Sequence, residues 1–526
     1  MNKLAQYLNQ HLVGEVATSD ALRTHYATDG SVLTAVPEMV AYPYNTSDIR
    51  KVMTFTWQLA EKGHVLPVTV RGAGTDTTGA AIGSGALLVL DKHMTNIFEY
   101  DAKQKLVRMQ PGVKVGALQS ALMLQGTRVT TLDVVNNDAT VGGALAGGVL
   151  TEEVVDWVDQ LEVVLANGDV LQTKRLSKRE LVKKKALESK EGEIYRELDN
   201  LIEDNQDIIQ GKLGMINGIG YTSIIDVKHK DGSFDLTPLF IGSQGTLGIV
   251  SEMILKAEYV ADTRSVVVAA FADEYKARDV VDEIDHLGNV NVTFYSAQAV
   301  HQAQKMGKKY PIVDAANSDD VAVVVATVHD LSARAQARKV KRIVHACEQY
   351  EGVVSSSTDA RAGEFANIES IGAMTEQPAL KNDARMPILE GMYVSLDRFD
   401  EFMAGTAELE KKHGIALALV GRPIEGTWTV RPELSLKTVA GKQLLLKLID
   451  DFAILVAKCG GTVAGQNGEG RLHSFSGRRT LDPELVALFD AIRAIFDPHG
   501  TLNKGVKQAV DIHDLAKQLR SELPWK

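Results

Sequence analysis

Hydrophobic positions along this chain repeat with two different periods, and the changes of period mark its elements. Residues 38–70 read as strand, helix, strand. "EMVAYP" is a β-type run, and Asn45, Thr46 and Ser47 are N-cap candidates. Ile49, Val52, Met53, Leu59 and Ala60 follow at helical spacing, and "HVLPVTV" returns to a β-rich run. Further β-type segments stand at "ALLVLD", "KLVRMQPG", "QLEVVLANGDVLQT" and "GIVSEMILKAEYV", and the "ANGD" in the third predicts a hairpin turn. Residues 174–213 are highly charged, basic first and acidic second, and rich in helix formers. That pattern predicts a solvated helical insertion, with a docking surface for a partner protein as the functional alternative.

Beyond residue 260 the pattern changes. "SVVVAAFADEYKARDVVDEIDHLG" and "DDVAVVVATVHDLSARAQARKVKRIVHACEQYEG" are each a strand followed by an amphipathic helix, which predicts an α+β domain with an antiparallel sheet. The run from "RMPILEGMYVSL" to "GRPIEGTWTVRP" continues as strand, helix, strand, turn, strand. A helix over 434–459, a glycine-rich loop "GTVAGQNGEGR" at 461–471 and a helix over 482–496 complete the reading.

Composition narrows the class. A chain of 526 residues exceeds the size of a single hydrophobic core, so two or more domains are expected. A net charge of −11 argues against nucleic acid as a partner. Two distant cysteines, Cys347 and Cys459, exclude a disulfide scaffold and an iron–sulfur cluster carried on this chain alone. A reducing cytoplasm fits that usage. The N-terminal stretch "MNKLAQYLNQHLVGEV" lacks a signal-peptide pattern, and no window predicts a transmembrane helix.

Three glycine-rich segments bear on a ligand. "RGAGTDTTGAA" (71–81) has G-x-G-x4-G spacing, not G-x-G-x-x-G, and a β-type run, not a long helix, follows it. A loop between two strands with amides turned toward an anion fits it better than a dinucleotide fingerprint. "DATVGGALAGG" (138–148) and "FIGSQGTLGIV" (240–250) again combine small residues with Thr. Together the three read as backbone lining a long ligand, or else as tight turns in a glycine-tolerant sheet.

"RGAGTDTTGAA", "ATVGG", "GSQGTLGIVSE" and the C-terminal "FDPHGTLNKGVK" recur in this order in the FAD-linked oxidases of the vanillyl-alcohol oxidase and p-cresol methylhydroxylase superfamily. The chain resembles that superfamily over roughly residues 35–510, and most closely its D-2-hydroxy acid dehydrogenase branch, which includes D-lactate, glycolate and D-2-hydroxyglutarate dehydrogenases. The resemblance implies an α+β fold: a two-subdomain FAD-binding domain of the PCMH type and an α+β cap domain with an antiparallel sheet. It divides the chain into an N-terminal helical segment (1–34), the FAD domain (35–260, with the charged insertion 174–213), the cap (261–485) and a returning C-terminal segment (486–526).

By the same resemblance Gly72, Ala73, Gly74, Thr75 and Asp76 would line the pyrophosphate with backbone amides. Thr140, Gly142, Gly143 and Ala146 would sit along the ribityl chain and adenosine, and Gly248, Ile249 and Val250 on the adenine side. Asn503, from an "NPGK"-like ending in which Lys504 replaces the proline, would return toward the flavin. Thr75 stands near the place where some relatives carry a His that anchors the flavin, so non-covalent FAD is expected.

The hydroxy-acid branch carries a cap-domain pattern resembling G-H-x-x-D-G-x-x-H-x-R-P, then G-E-H-G-x-G-R. Two His and the Glu hold a divalent metal, and the last His is the proton acceptor. Here the patterns read "GRPIEGTWTVRP" (421–432) and "GQNGEGR" (465–471). Arg422 and Thr429 replace the His ligands, Gln466 replaces the Glu and Asn467 replaces the base, so no metal is expected. Three readings follow. Arg422 anchors a substrate carboxylate in place of the metal, with Tyr393, Glu390 or His473 as base. Alternatively the chain is a catalytically degenerate FAD-binding protein in an electron-transfer or structural role. In the third reading the substrate is another alcohol that needs no metal. Arg431 matches a motif position and reads as an ion pair or a substrate contact, and His473 reads as a surface residue. The function implied is FAD-dependent oxidation of a small hydroxy compound, a 2-hydroxy acid or other alcohol. An acceptor protein, a quinone or O₂ would reoxidise the flavin.

Overall fold

The structure is a computed structural model and describes residues 3–148, 157–213, 218–260, 264–357, 364–375 and 384–521. They fall into two compact units, Met1–Glu258 with Ala464–Arg520, and Tyr259–Val463 with Ser521–Lys526.

In the first unit, β1 (Glu15–Ala17), β2 (Met39–Tyr42), β3 (Val68–Arg71) and β4 (Ala86–Val89) form a sheet in the order β1-β2-β4-β3. β2 and β3 both pair parallel with β4, and near-continuous apolar runs such as "ALLV" suit strands buried on both faces. The helix Thr46–Glu61 crosses between β2 and β3. Its cap is Asn45, whose side chain accepts from the Asp48 amide at 3.1 Å. The chain end returns along the edge of β3, where the Val68 amide donates to Thr501 at 2.7 Å and the Asn503 amide to Val68 at 2.8 Å. This contact carries Asn503 to the loop that follows β3.

The second sheet of this unit contains β5 (Ile97–Asp101), β6 (Leu106–Met109), β7 (Val158–Val164), β8 (Val170–Gln172) and β9 (Ile249–Lys256), in the order β5-β6-β9-β7-β8. β7 and β8 are the expected hairpin, with Asn167 and Asp169 side chains hydrogen-bonded at 2.8 Å in its turn.

The charged segment 174–213 forms helices at Lys178–Lys185, Lys190–Asp204 and Gln206–Lys212, but it is not the solvated insertion that its charge predicts. Leu181, Ile194, Tyr195, Leu198, Ile202 and Ile209 are buried in one core with Phe234, Leu488 and Phe489. Most charges occupy the outer faces, where Ser177 and Glu180 form a capping box, while the buried Asp199 is flanked by Lys185 and Lys228. A helix needs only a narrow apolar stripe to dock, and composition averages that stripe away.

The second unit contains an antiparallel sheet of β10 (Arg264–Phe271), β11 (Val290–Tyr295), β12 (Ala322–His329), β13 (Val353–Ser357), β14 (Leu389–Tyr393), β15 (Leu419–Arg422) and β16 (Thr427–Val430). Their order is β13-β10-β12-β11-β15-β16-β14. Each predicted strand–helix pair is present, with Glu274–Asp285 after β10 and Ala333–Gln349 after β12. On one face of β16 the fully buried Trp428 meets the rings of Phe294, Phe399 and Phe402 and donates to Val394 O at 2.9 Å. Gly421 lies opposite Trp428 because a Cβ there would stand 2.2 Å from the indole.

The boundary between the units falls after Val463, so residues 464–485 belong with the first unit and not with the cap, where the sequence placed them. The reason is a set of backbone contacts given below. Among the described residues no helix is long and apolar enough to cross a membrane.

Because Lys190–Asp204 is a core helix, Leu198→Ala should cost about 2–5 kcal/mol in urea unfolding. Tyr195→Phe should be neutral or stabilising, since the buried Tyr195 hydroxyl has no partner among the described residues.

Candidate functional site

Three glycine-rich segments and the 465–471 turn converge in the first unit. The loop after β3 is shaped by Asp76, which accepts from the Ala80 amide at 2.7 Å, the Thr78 amide at 3.0 Å and the Thr78 hydroxyl at 2.9 Å. Burial and the neighbouring Asp29 push the Asp76 carboxyl up to about 7, against the pull of those donors. Gly74 has φ +72 and lies over the Arg71 guanidinium, where a Cβ would come within 2.1 Å. Gly72 packs on Thr140, whose hydroxyl caps the short helix Val141–Gly147 by accepting from Gly143 at 3.2 Å. Gly142 donates to Pro111 O, and at the other end of the helix Ala146 O accepts from Gln244 at 2.9 Å.

Gln244 then ties this group to the turn. Its buried side chain donates to Asn467 O at 3.1 Å and to Thr78 Oγ1 at 3.3 Å, and accepts from the Gly470 amide at 2.9 Å. The Arg471 and Leu472 amides both donate to Thr78 O at 3.0 Å. Gly468 and Gly470 have positive φ, and a Cβ on Gly470 would stand 2.2 Å from Thr78. These contacts draw residues 464–485 into the first unit.

Asn503 sits at the junction, 2% exposed. Its Oδ1 accepts from Thr69 Oγ1 and from Arg471 Nη2, each at 3.1 Å, and its Nδ2 donates to Ala80 O at 2.9 Å and Gln244 O at 2.7 Å. The side chain expected to approach the flavin is thus fully engaged by protein. Arg471 also donates to Gly79 O and, at 2.8 Å, to Lys504 O. Burial pushes Arg471 down to about 10, so it stays charged at neutral pH.

The residues fit a dinucleotide. Among the described residues nothing accepts from the backbone N–H groups of Ala73 to Thr77, most of them half-buried, which is the arrangement of an anion-binding nest. A Cβ on Gly147 would meet only Asn467 O, at 4.0 Å, and one on Gly245 would meet nothing within 4 Å. Gly248 precedes β9, where Ile249 and Val250 pair with Val164 and Val163, and a Cβ on Gly248 would crowd Val163. Gln466 and Asn467 are half-buried on the turn.

His473 is a correction. It reads as a surface residue from the sequence, yet it is 2% exposed, and its Nδ1 has no partner among the described residues. The turn beyond Arg471 folds inward as the helical segment Ser474–Gly477 and carries the imidazole with it. Burial pushes His473 down to about 4, which keeps it neutral at pH 7.

The remaining candidates belong to the second unit, and the register puts Arg422 and Tyr393 on one face of its sheet. Thr427 on β16 pairs with Arg422 on one side and Tyr393 on the other, so the three stand in a row across adjacent strands. Thr429 shares that face and accepts from the Gly391 amide at 3.2 Å. Arg431 hydrogen-bonds Glu390, so the two form a part-buried ion pair. Glu425, in the β15–β16 turn, and Tyr295, beside Val420, are near Arg422 and were not singled out in the sequence. Burial pushes the Glu425 carboxyl up, with Arg422 opposing the shift. Among the described residues no three His, Cys, Asp or Glu side chains group as metal ligands. Cys347 and Cys459 are buried thiols pushed up to about 12 and about 11, so neither is a thiolate at neutral pH.

The FAD binding domain family matches residues 37–174, and the family of FAD linked oxidases, C-terminal domain, matches residues 261–506. A D-2-hydroxyglutarate dehydrogenase of Escherichia coli (strain K12) is 27% identical over 96% of this chain and 51% of its own. The chain therefore spans about half the length of that relative. Glycolate oxidase subunit GlcD of Bacillus subtilis (strain 168) is 25% identical over 94% of each chain. The structure of 4-ethylphenol oxidase from Gulosibacter chungangensis superposes with a TM-score of 0.69, at 14% identity over 97% of each chain, and shares the fold.

Two outcomes follow. Asn503→Ala removes the partner of one Arg471 N–H, the Thr69 hydroxyl and two carbonyls, at about 1–3 kcal/mol for each group left unmet, and should reduce bound FAD as read from the 450/280 nm absorbance ratio. His473 has a lower pKa folded, about 4, than unfolded, near 6.5. Its contribution to stability is therefore complete above that range and is lost as pH falls from 6.5 toward 4. His473→Asn should flatten the acid limb of a melting-temperature curve between pH 4 and 7.

Proposed function

The chain belongs to the FAD-linked oxidases, and on that premise we propose that it oxidises a small hydroxy compound bearing a carboxylate, without a metal at the substrate. When bound, FAD accepts a hydride. The cradle residues Ala73–Thr77 would hold its pyrophosphate through their amides, with Gly147 and Gly245 leaving room for its length.

The observation that carries the reading is the row Arg422–Thr427–Tyr393. Arg422 presents a planar cation suited to a bidentate carboxylate contact. Arg431 pairs with Glu390 instead. The same pairing sets Glu390 aside as base, and its depth in the first unit sets His473 aside. Tyr393, half-buried on the Arg422 face, is the group we assign as acceptor of the hydroxyl proton. Gln466 and Asn467 are amides and cannot take that proton. The distant D-2-hydroxyglutarate dehydrogenase and glycolate oxidase relatives support a hydroxy-acid substrate.

The neutrality of Gln466 and Asn467 favours a second reading, an FAD-binding protein that no longer oxidises a substrate.

Anaerobic addition of D-2-hydroxy acids, aryl alcohols and sugars to the purified protein separates the two. Bleaching at 450 nm by a hydroxy acid, unchanged by a chelator, is expected. Bleaching that the chelator abolishes overturns the metal-free site, and no bleaching by any of the three classes favours the degenerate reading. Arg422→Met should raise KM for an acid substrate by about 30-fold or more, the loss of one charged contact, with FAD content unchanged. Tyr393→Phe should lower kcat with little change in KM.

A further inference from the structure

Next to the Gln466–Asn467 turn, the first unit buries a carboxylate that the proposed oxidation does not use. Glu469 is 0% exposed, and neither of its oxygens has a hydrogen-bond partner among the described residues. The Gly220 amide faces it without reaching hydrogen-bonding geometry. Three buried cations, Lys507, Arg478 and Arg493, lie close enough to act on its charge.

Each cation is occupied elsewhere. Lys507 Nζ donates to Gly220 O at 2.7 Å and lies 5.6 Å from the centre of the Tyr221 ring. Arg478 pairs with Asp490 at 2.6 Å and donates to Lys507 O at 3.1 Å, and Arg493 donates to Val506 O and Leu502 O. His473 belongs to the same knot, since its amide donates to Glu469 O at 2.9 Å. Arg478 Nε, Arg493 Nε, His473 Nδ1 and Ser476 Oγ are also buried without partners among the described residues.

A buried carboxylate within the field of three cations, touching none of them, needs a bridging group. The lining has both signs. The carboxylate opposes an anion and the cations oppose a metal ion, whereas water donates and accepts and satisfies both. We propose that Glu469 is a positioning residue: through bridging water its carboxylate is the counter-ion of Lys507, Arg478 and Arg493, and it holds the Gln466–Asn467 turn against residues 218–221 and the 502–507 return. Burial pushes the Glu469 carboxyl up and Lys507 down, and each charge opposes the shift of the other. Removal of one therefore strands the other in the interior.

A double-mutant cycle on FAD affinity tests this, and it is independent of the hydroxy-acid reading because it needs no substrate. Wild-type apoprotein, Glu469→Leu, Lys507→Met and the double variant are titrated with FAD by flavin fluorescence, with circular dichroism as the check of folding. Each single variant should lose roughly tenfold or more, and the double variant should lose much less than the product of the two. Fully additive losses, or wild-type affinity in Glu469→Leu, overturn the proposal. Glu469→Gln keeps the shape and removes the charge, and remains usable if the leucine variant does not fold. It should shift the midpoint potential of the bound flavin to a more positive value in a dye-equilibration titration. An unchanged affinity and potential in Glu469→Gln also overturn the counter-ion role.

Discussion

One buried amide holds four chain segments in register. Asn503 accepts from β3 and from Arg471, and donates to the loop at Ala80 and to the loop at Gln244. These segments are separated by up to 434 positions in sequence, so no local propensity can bring them together. An amide suits this junction because it offers two donors and two acceptor sites in a fixed plane. The burial is tolerable only because all of them are met; an unmet polar group at the same depth would cost stability. Asn503 adopts φ +38, a left-handed conformation that asparagine accepts more readily than most residues.

Around that junction the glycines have two different physical jobs. Gly72, Gly74, Gly468 and Gly470 are places where another part of the protein comes too close for a Cβ. Gly147 and Gly245 border space that the protein leaves open. The first group allows the segments to pack, whereas a side chain at the second would meet little or nothing. A glycine-rich motif alone does not separate these roles. The loop that looks most like a phosphate cradle at 461–471 is mainly of the first kind, and the unpaired amides belong to Ala73–Thr77.

Gln466 and Asn467 put two neutral amides on the 465–471 turn. Titratable groups remain in each unit, but elsewhere. In the first unit Glu469, His473 and Lys507 lie in the interior; in the second Arg422 and Tyr393 share a sheet face and Arg431 pairs with Glu390. Charges in the interior act on their surroundings through long-range fields.

Much of the fold was legible in the sequence. The periodicity of "EMVAYP" through "HVLPVTV", the "ANGD" hairpin and the strand–helix pairs after residue 260 are local patterns, and burial of one face enforces them. The order of the glycine motifs and "FDPHGTLNKGVK" identified the family, because backbone close approaches leave few alternatives to glycine. Tertiary structure decided the rest. The segment 174–213 hides a core stripe beneath its charge, the 464–485 stretch joins the first unit, and His473 is internal. The meeting of Arg422, Thr427 and Tyr393 depends on strand register, and that of Glu469 with Lys507 on the returning chain end. Sequence determines what each segment prefers; which preferences meet depends on long-range pairing and on desolvation, and neither is written in any local stretch.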